Sequence, residues 1–157
     1  MFWWSNRKGN PPGSRVVPLA FLEHLWYDVP GFKPPIDAGD GNFLLTKERD
    51  IRALREKYWD PTILKYHGNS PDFPDCTTFT KSWVGRLQEG AHKEGWTHAP
   101  IAGYLSLIHQ VKGQHGMGWT AWVPDSGPVV LKLDETQRTT TPYESIGECK
   151  TVIKVRA

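Results

Sequence analysis

Three residues in this chain could act together on a carbonyl: a cysteine opening a helix, a histidine opening a strand and a glutamate closing another. Asp75-Cys76-Thr77-Thr78-Phe79 begins a stretch in which Cys76, Phe79, Thr80, Trp83, Val84 and Leu87 recur at the spacing of one buried helix face. Asp75 is placed to cap that helix. Cys76 then falls in the first turn, where orphan N–H groups and the macrodipole favour its thiolate. Gly90 and Gly95 suggest where the helix frays or stops. The same pattern also suits a core helix in which Cys76 is a small buried hydrophobe.

After Gly95 the period changes to two. Strands are expected at 104–111, 115–123, 129–135 and 149–155, with turns at 113–114 and 124–127. Alternation puts His115 on a face with Met117, Trp119, Ala121 and Val123. It puts Glu135 with Val129, Leu131 and Leu133, and turns Asp134 away. A five-residue loop at 124–128 pairs Met117 with Glu135, and a three-residue loop at 124–126 sets His115 opposite Glu135. Either register brings the imidazole and the carboxylate within reach. If the Cys76 helix covers that face, the histidine can take the thiol proton while the glutamate holds its tautomer. His109, on a face with Leu105, Leu107 and Val111, is the competing base. Asn69 and Ser70, in the loop leading to Cys76, are candidate oxyanion donors. The plain alternatives are a core histidine and a salt-bridged glutamate.

The elements that must position these groups follow from the rest of the chain. Residues 1–15 read as an irregular arm carrying Trp3 and Trp4. Pro18 opens a short helix over 18–27, 29–41 is loop, and Thr46 caps a helix over 47–59. Helices first and antiparallel strands last give an α+β expectation, a nucleophile helix packed on an antiparallel sheet within one domain over 16–157.

Composition narrows the function classes. The chain has 157 residues, enough for one domain with a sizeable core. Nineteen Lys and Arg against 17 Asp and Glu give a net charge of +2, with no basic stripe, which argues against nucleic acid as partner. No apolar run approaches the ~20 residues of a membrane span. The N-terminal residues lack a signal-peptide pattern, so the expected location is cytoplasmic. Cys76 and Cys149 do not suggest a disulfide framework, and both are expected free. No cofactor is implied, and no Cys/His spacing suits a metal. Some of the eight tryptophans must be core, and exposed ones could line a groove for sugar or peptide.

Asp75-Cys76 opening a helix, Gly113-Gln114-His115 opening a strand, and Asp134-Glu135-Thr136-Gln137 closing the next resemble a papain-like fold. Over roughly residues 70–140 the pattern is similar to the cysteine-protease domain of the fairy-ring mushroom agglutinin type and its bacterial and phage relatives. There a cysteine on a helix is followed by a Gly-x-His-Ala strand and by an apolar strand ending Glu-Pro-Gln. Here Gly116 follows the histidine, and the last motif reads Glu135-Thr136-Gln137. The resemblance implies Cys76 as nucleophile, His115 as base and Glu135 as orienting acid, with Gln137 beside them on the substrate wall. It also allows a phage-encoded origin. NlpC/P60-type and transglutaminase-like proteins share the residue order, but Thr77 and Thr78 replace the Asp-Cys-Ser-Gly signature of the first.

Three functions follow as expectations. The first is a thiol hydrolase (peptidase or amidase) acting on a peptide or protein substrate. The second is a non-catalytic binding module using exposed tryptophans, and the third a structural component with 1–15 as an assembly arm. Thiol reactivity separates the first from the others.

Overall fold

The structure is a computed structural model that describes residues 9–60, 76–109, 113–134, 143–145 and 149–157. At 76–79, 107–109, 113–115, 134, 143–145 and 149–153 it describes the backbone alone. In chain order the elements are β1 (Arg15–Pro18), α1 (Leu19–Trp26), β2 (Asn42–Leu45), α2 (Glu48–Tyr58), α3 (Cys76–Lys93), β3 (Ala99–Pro100), β4 (Ala102–His109), β5 (Gly113–Trp122), β6 (Val130–Asp134), β7 (Tyr143–Ser145) and β8 (Cys149–Arg156). The small sheet has the order β1-β2-β3, with β3 parallel to β2. The large sheet has the order β7-β6-β5-β4-β8 and is antiparallel throughout.

The central strand β5 is covered on both sides. Met117 to Trp122 are buried without interruption, so neither face of the strand meets water. On one face Met117, Trp119 and Ala121 join Leu105, Leu133 and Val155 and pack against Leu22 and Trp26 of α1. Trp26 meets Trp119 edge-on, with ring centroids 5.2 Å apart. On the other face Trp83 of α3 lies directly over Gly118, where an added Cβ would come within 2.4 Å of the indole. Behind Trp83, the residues Val84, Leu87 and Ala91 pack with Ile51 and Leu54 of α2. The layers are therefore α1, then the large sheet, then α3 backed by α2, and the small sheet joins both cores, through Phe43 and Leu45 on one side and Leu44 on the other.

The α2–α3 contact uses a second missing side chain. The Tyr58 ring sits against Gly90, where a Cβ would lie 2.3 Å from the ring. Gly90 therefore does not fray the helix as the sequence suggests. It admits an aromatic ring, and α3 runs on to Lys93. Nearby, the buried Glu94 carboxylate accepts a hydrogen bond from Lys57 Nζ at 2.7 Å and another from the Tyr58 hydroxyl. Burial, then the Glu94 hydrogen bond and charge, push the Tyr58 phenol up from 10.0 to about 12.

The expected papain-like α+β order is corrected by this arrangement. Among the described residues a strand precedes the first helix, and β1 and β2 from the N-terminal half join β3 from the C-terminal half in a second sheet. β1 and β2 are four residues each and pair across an intervening helix and loop, too short for a period of two to be read. The helix at 18–27 runs Leu19–Trp26 and that at 47–59 runs Glu48–Tyr58. Thr46 does not cap the latter. Lys47 is its N-cap residue and donates its N–H to the Asp50 carboxylate at 3.1 Å, while the Thr46 carbonyl accepts the Val123 N–H at 2.8 Å. The last part of the expected arm is tied down, since Gly9 N–H bonds the Glu94 carbonyl and Asn10 bonds Thr97. Among the described residues, no helix is long and apolar enough to cross a membrane.

Candidate ligand-binding cleft

The face of the large sheet that α3 covers is left partly open beside the helix, and strand register determines what lines the opening. Tyr104 of β4 pairs with Gly118 of β5 on one side and Arg156 of β8 on the other. Two residues along, Ser106 pairs with Gly116 and Lys154. Successive strand residues alternate faces, so the inward Leu105 and Val155 leave Tyr104, Ser106, Lys154 and Arg156 on the α3 side. With Thr80 and Lys81 from α3 they enclose a cleft of roughly 110 Å³.

The cleft is cationic and aromatic. Arg156 donates to the Tyr104 hydroxyl at 3.1 Å, and its guanidinium carbon lies 5.4 Å from the ring centroid. Lys81 Nζ lies 5.8 Å from the same centroid. Contacts of this kind hold a cation beside a ring without neutralising it. Among the described residues lining the cleft, three are basic and none is acidic. Among the described residues, the Asp37 carboxylate, from the loop before β2, approaches two of these cations: its Oδ2 lies 3.8 Å from Arg156 Nε and 4.0 Å from Lys154 Nζ.

The sequence-derived site residues fall around this cleft unevenly. Cys76 is the first residue of α3, and the helix brings Thr80 to the cleft. His115 lies on β5 paired with Leu107, beside the cleft-lining Gly116. Asn69, Ser70, Glu135 and Gln137 lie outside the described residues. The ladder ends at Gly118 paired with Asp134, the register of the longer of the two loops considered. One step of the sequence argument fails. The face of Met117, Trp119 and Ala121, assigned to the Cys76 helix by alternation, packs on α1, whereas α3 packs on the Gly118 face. No described tryptophan lines this cleft. Trp26, Trp59, Trp83, Trp96, Trp119 and Trp122 are all buried, and Trp3 and Trp4 lie outside the described residues. Sequence reading misses Lys81, Lys154 and Arg156, because isolated basic residues look like ordinary solvated surface. The available signal is that Lys154 and Arg156 flank Val155 and so share the face opposite it.

No protein-family model and no curated protein sequence matches this chain. Its fold is shared by solved structures at low sequence identity. PSL1a in complex with E64 is 14% identical, with a TM-score of 0.63 over 87% of this chain and 48% of that one. The Polyporus squamosus lectin bound to the human-type influenza-binding epitope Neu5Acα2-6Galβ1-4GlcNAc is also 14% identical. Its TM-score is 0.62 over 87% of this chain and 49% of that one. This chain thus spans about half the length of the solved chains it matches. The second of these is named a lectin, and neither is named a papain-like protease. This likeness replaces the papain-like resemblance, and the reading as a hydrolase, a cysteine protease with a catalytic triad, is set aside with it.

Proposed function

We propose that the chain is a binding module and that its ligand is a carbohydrate carrying an acidic group, held in the cleft between α3, β4 and β8. The observation carrying this reading is the convergence of Lys81, Lys154 and Arg156 on a cleft whose described lining holds no acid. Carbohydrate, rather than a peptide substrate, is the class suggested by the lectin likeness. The glycan-bound lectin chain is about twice the matched length, so the cleft here, more than that complex, supports the reading.

Calorimetric titration with Neu5Acα2-6Galβ1-4GlcNAc, against neutral Galβ1-4GlcNAc, tests the proposal. The acidic trisaccharide should bind and the neutral disaccharide should bind far more weakly. Arg156→Ala should lower affinity for the acidic glycan by about tenfold, the loss of one charge-assisted hydrogen bond. Equal binding of the two sugars, or no binding of either, would reject the reading.

A second reading keeps Cys76 as a reactive thiol, with His115 and Glu135 as its proposed partners. It is favoured by one observation: Cys76 is the first residue of α3, where the helix's free N–H groups favour a thiolate. A helix N-terminus and an imidazole would both lower the thiol pKa from the ordinary value of about 8.5. On this reading iodoacetamide, or the thiol-directed epoxide E64, labels Cys76 well below pH 8 and spares Cys149. His115→Ala should slow that labelling. Labelling of Cys76 no faster than Cys149, unchanged by His115→Ala, leaves the binding module alone.

A further inference from the structure

Asp37 stands where a ligand acid would have to stand. The loop between α1 and β2 runs along the outer edge of β8. There the Asp37 N–H bonds the Val155 carbonyl at 3.1 Å and the Ala157 N–H bonds the Asp37 carbonyl at 3.0 Å. These bonds fix the backbone of Asp37 beside Arg156. Its side chain is held less firmly. One oxygen, Oδ2, lies between the two strand cations at 3.8 and 4.0 Å, beyond good hydrogen-bond length. The Asp37 side chain is 61% exposed, so water can replace it on either cation.

We propose that Asp37 is an internal counter-anion for the cleft: an anionic ligand binds by displacing its carboxylate from Lys154 and Arg156. This sets a threshold for ligand charge and rests on the reading that the cleft takes an acid. A neutral sugar offers nothing in exchange for the displaced pair. A weakly charged ligand gains little, because it must compete with a carboxylate held nearby at high effective concentration. The same loop keeps the cleft's two strand cations from standing without a counter-charge when no ligand is bound.

Asp37→Asn preserves the backbone bonds and removes the charge. Binding of free N-acetylneuraminate to the whole chain can be followed through the Arg156 Nε–Hε signal, with acetate titrated in parallel. Asp37→Asn should tighten binding of N-acetylneuraminate about threefold at about 20 mM salt, and the gain should fade by about 0.5 M as screening weakens the competition. Asp37→Glu should behave as the parent chain. Unchanged or weaker binding by Asp37→Asn would overturn the proposal, as would silence of the Arg156 signal in both proteins. If acetate, a carboxylate without a sugar, binds as tightly as N-acetylneuraminate and with the same charge dependence, the counter-anion role stands and the carbohydrate reading fails.

Discussion

Replacing Trp119 by alanine is expected to lower the unfolding free energy by about 3–5 kcal/mol, the cost of emptying a large buried aromatic site. Trp119 is fully buried at the centre of β5 and meets Trp26 of α1 edge-on. Its indole N–H donates to the Arg156 carbonyl at 3.0 Å, so truncation also leaves a half-buried acceptor without that partner. The opposite residue in the ladder is Gly103, where a Cβ would come within 2.6 Å of the indole nitrogen. The backbone around this ring is therefore shaped to it, and collapse into the void should be incomplete. Urea unfolding measures the loss. Trp119→Phe, which keeps a ring against Trp26 but removes the hydrogen bond, should cost roughly half as much. A loss below about 1.5 kcal/mol for the alanine variant would mean the site refills, against the packing described. The consequence reaches the cleft, because the bonded carbonyl belongs to the residue whose guanidinium faces Tyr104. The phenylalanine variant, if folded, should weaken acidic ligands by loosening that end of β8.

Helical and strand periods in the sequence locate α1, α2, α3, β4, β5, β6 and β8 to within a few residues, since each is long enough to repeat its pattern. The small sheet is hidden for a different reason. Leu44 pairs with Val16 and Pro100, partners from distant parts of the chain, and no local pattern announces a pairing of that range. The cleft is hidden for the same reason. Lys81 belongs to a helix that the sequence shows as amphipathic, and Lys154 to a strand with a clear alternation. Only the register of β4 against β8, interrupted after Ser106, places them around one opening. Asp37 lies in a loop whose prolines and glycines say nothing about the β8 edge it joins.

The face of β5 that receives α3 is the most instructive miss, and it yields a direct test. Counting apolar side chains ranks Met117, Trp119 and Ala121 above Gly116, Gly118 and Thr120. That count scores a missing side chain as a missing reason to pack. The structure uses the absence, because the Trp83 indole can approach the sheet only where no Cβ intervenes. Gly118→Ala should therefore destabilise the fold by about 2–3 kcal/mol, the upper part of the range for overpacking a close-packed core. It should do so although alanine suits a strand at least as well as glycine. Trp83→Leu alone should also destabilise, through the lost ring volume. The double variant should lose less than the sum, by about 1–2 kcal/mol, because the smaller side chain makes room for the new methyl group. A control at Gly85, where an added Cβ meets nothing within 4 Å, should show no loss on substitution by alanine. Strict additivity of Gly118→Ala and Trp83→Leu would show that the two residues do not share the contact on which α3 is seated.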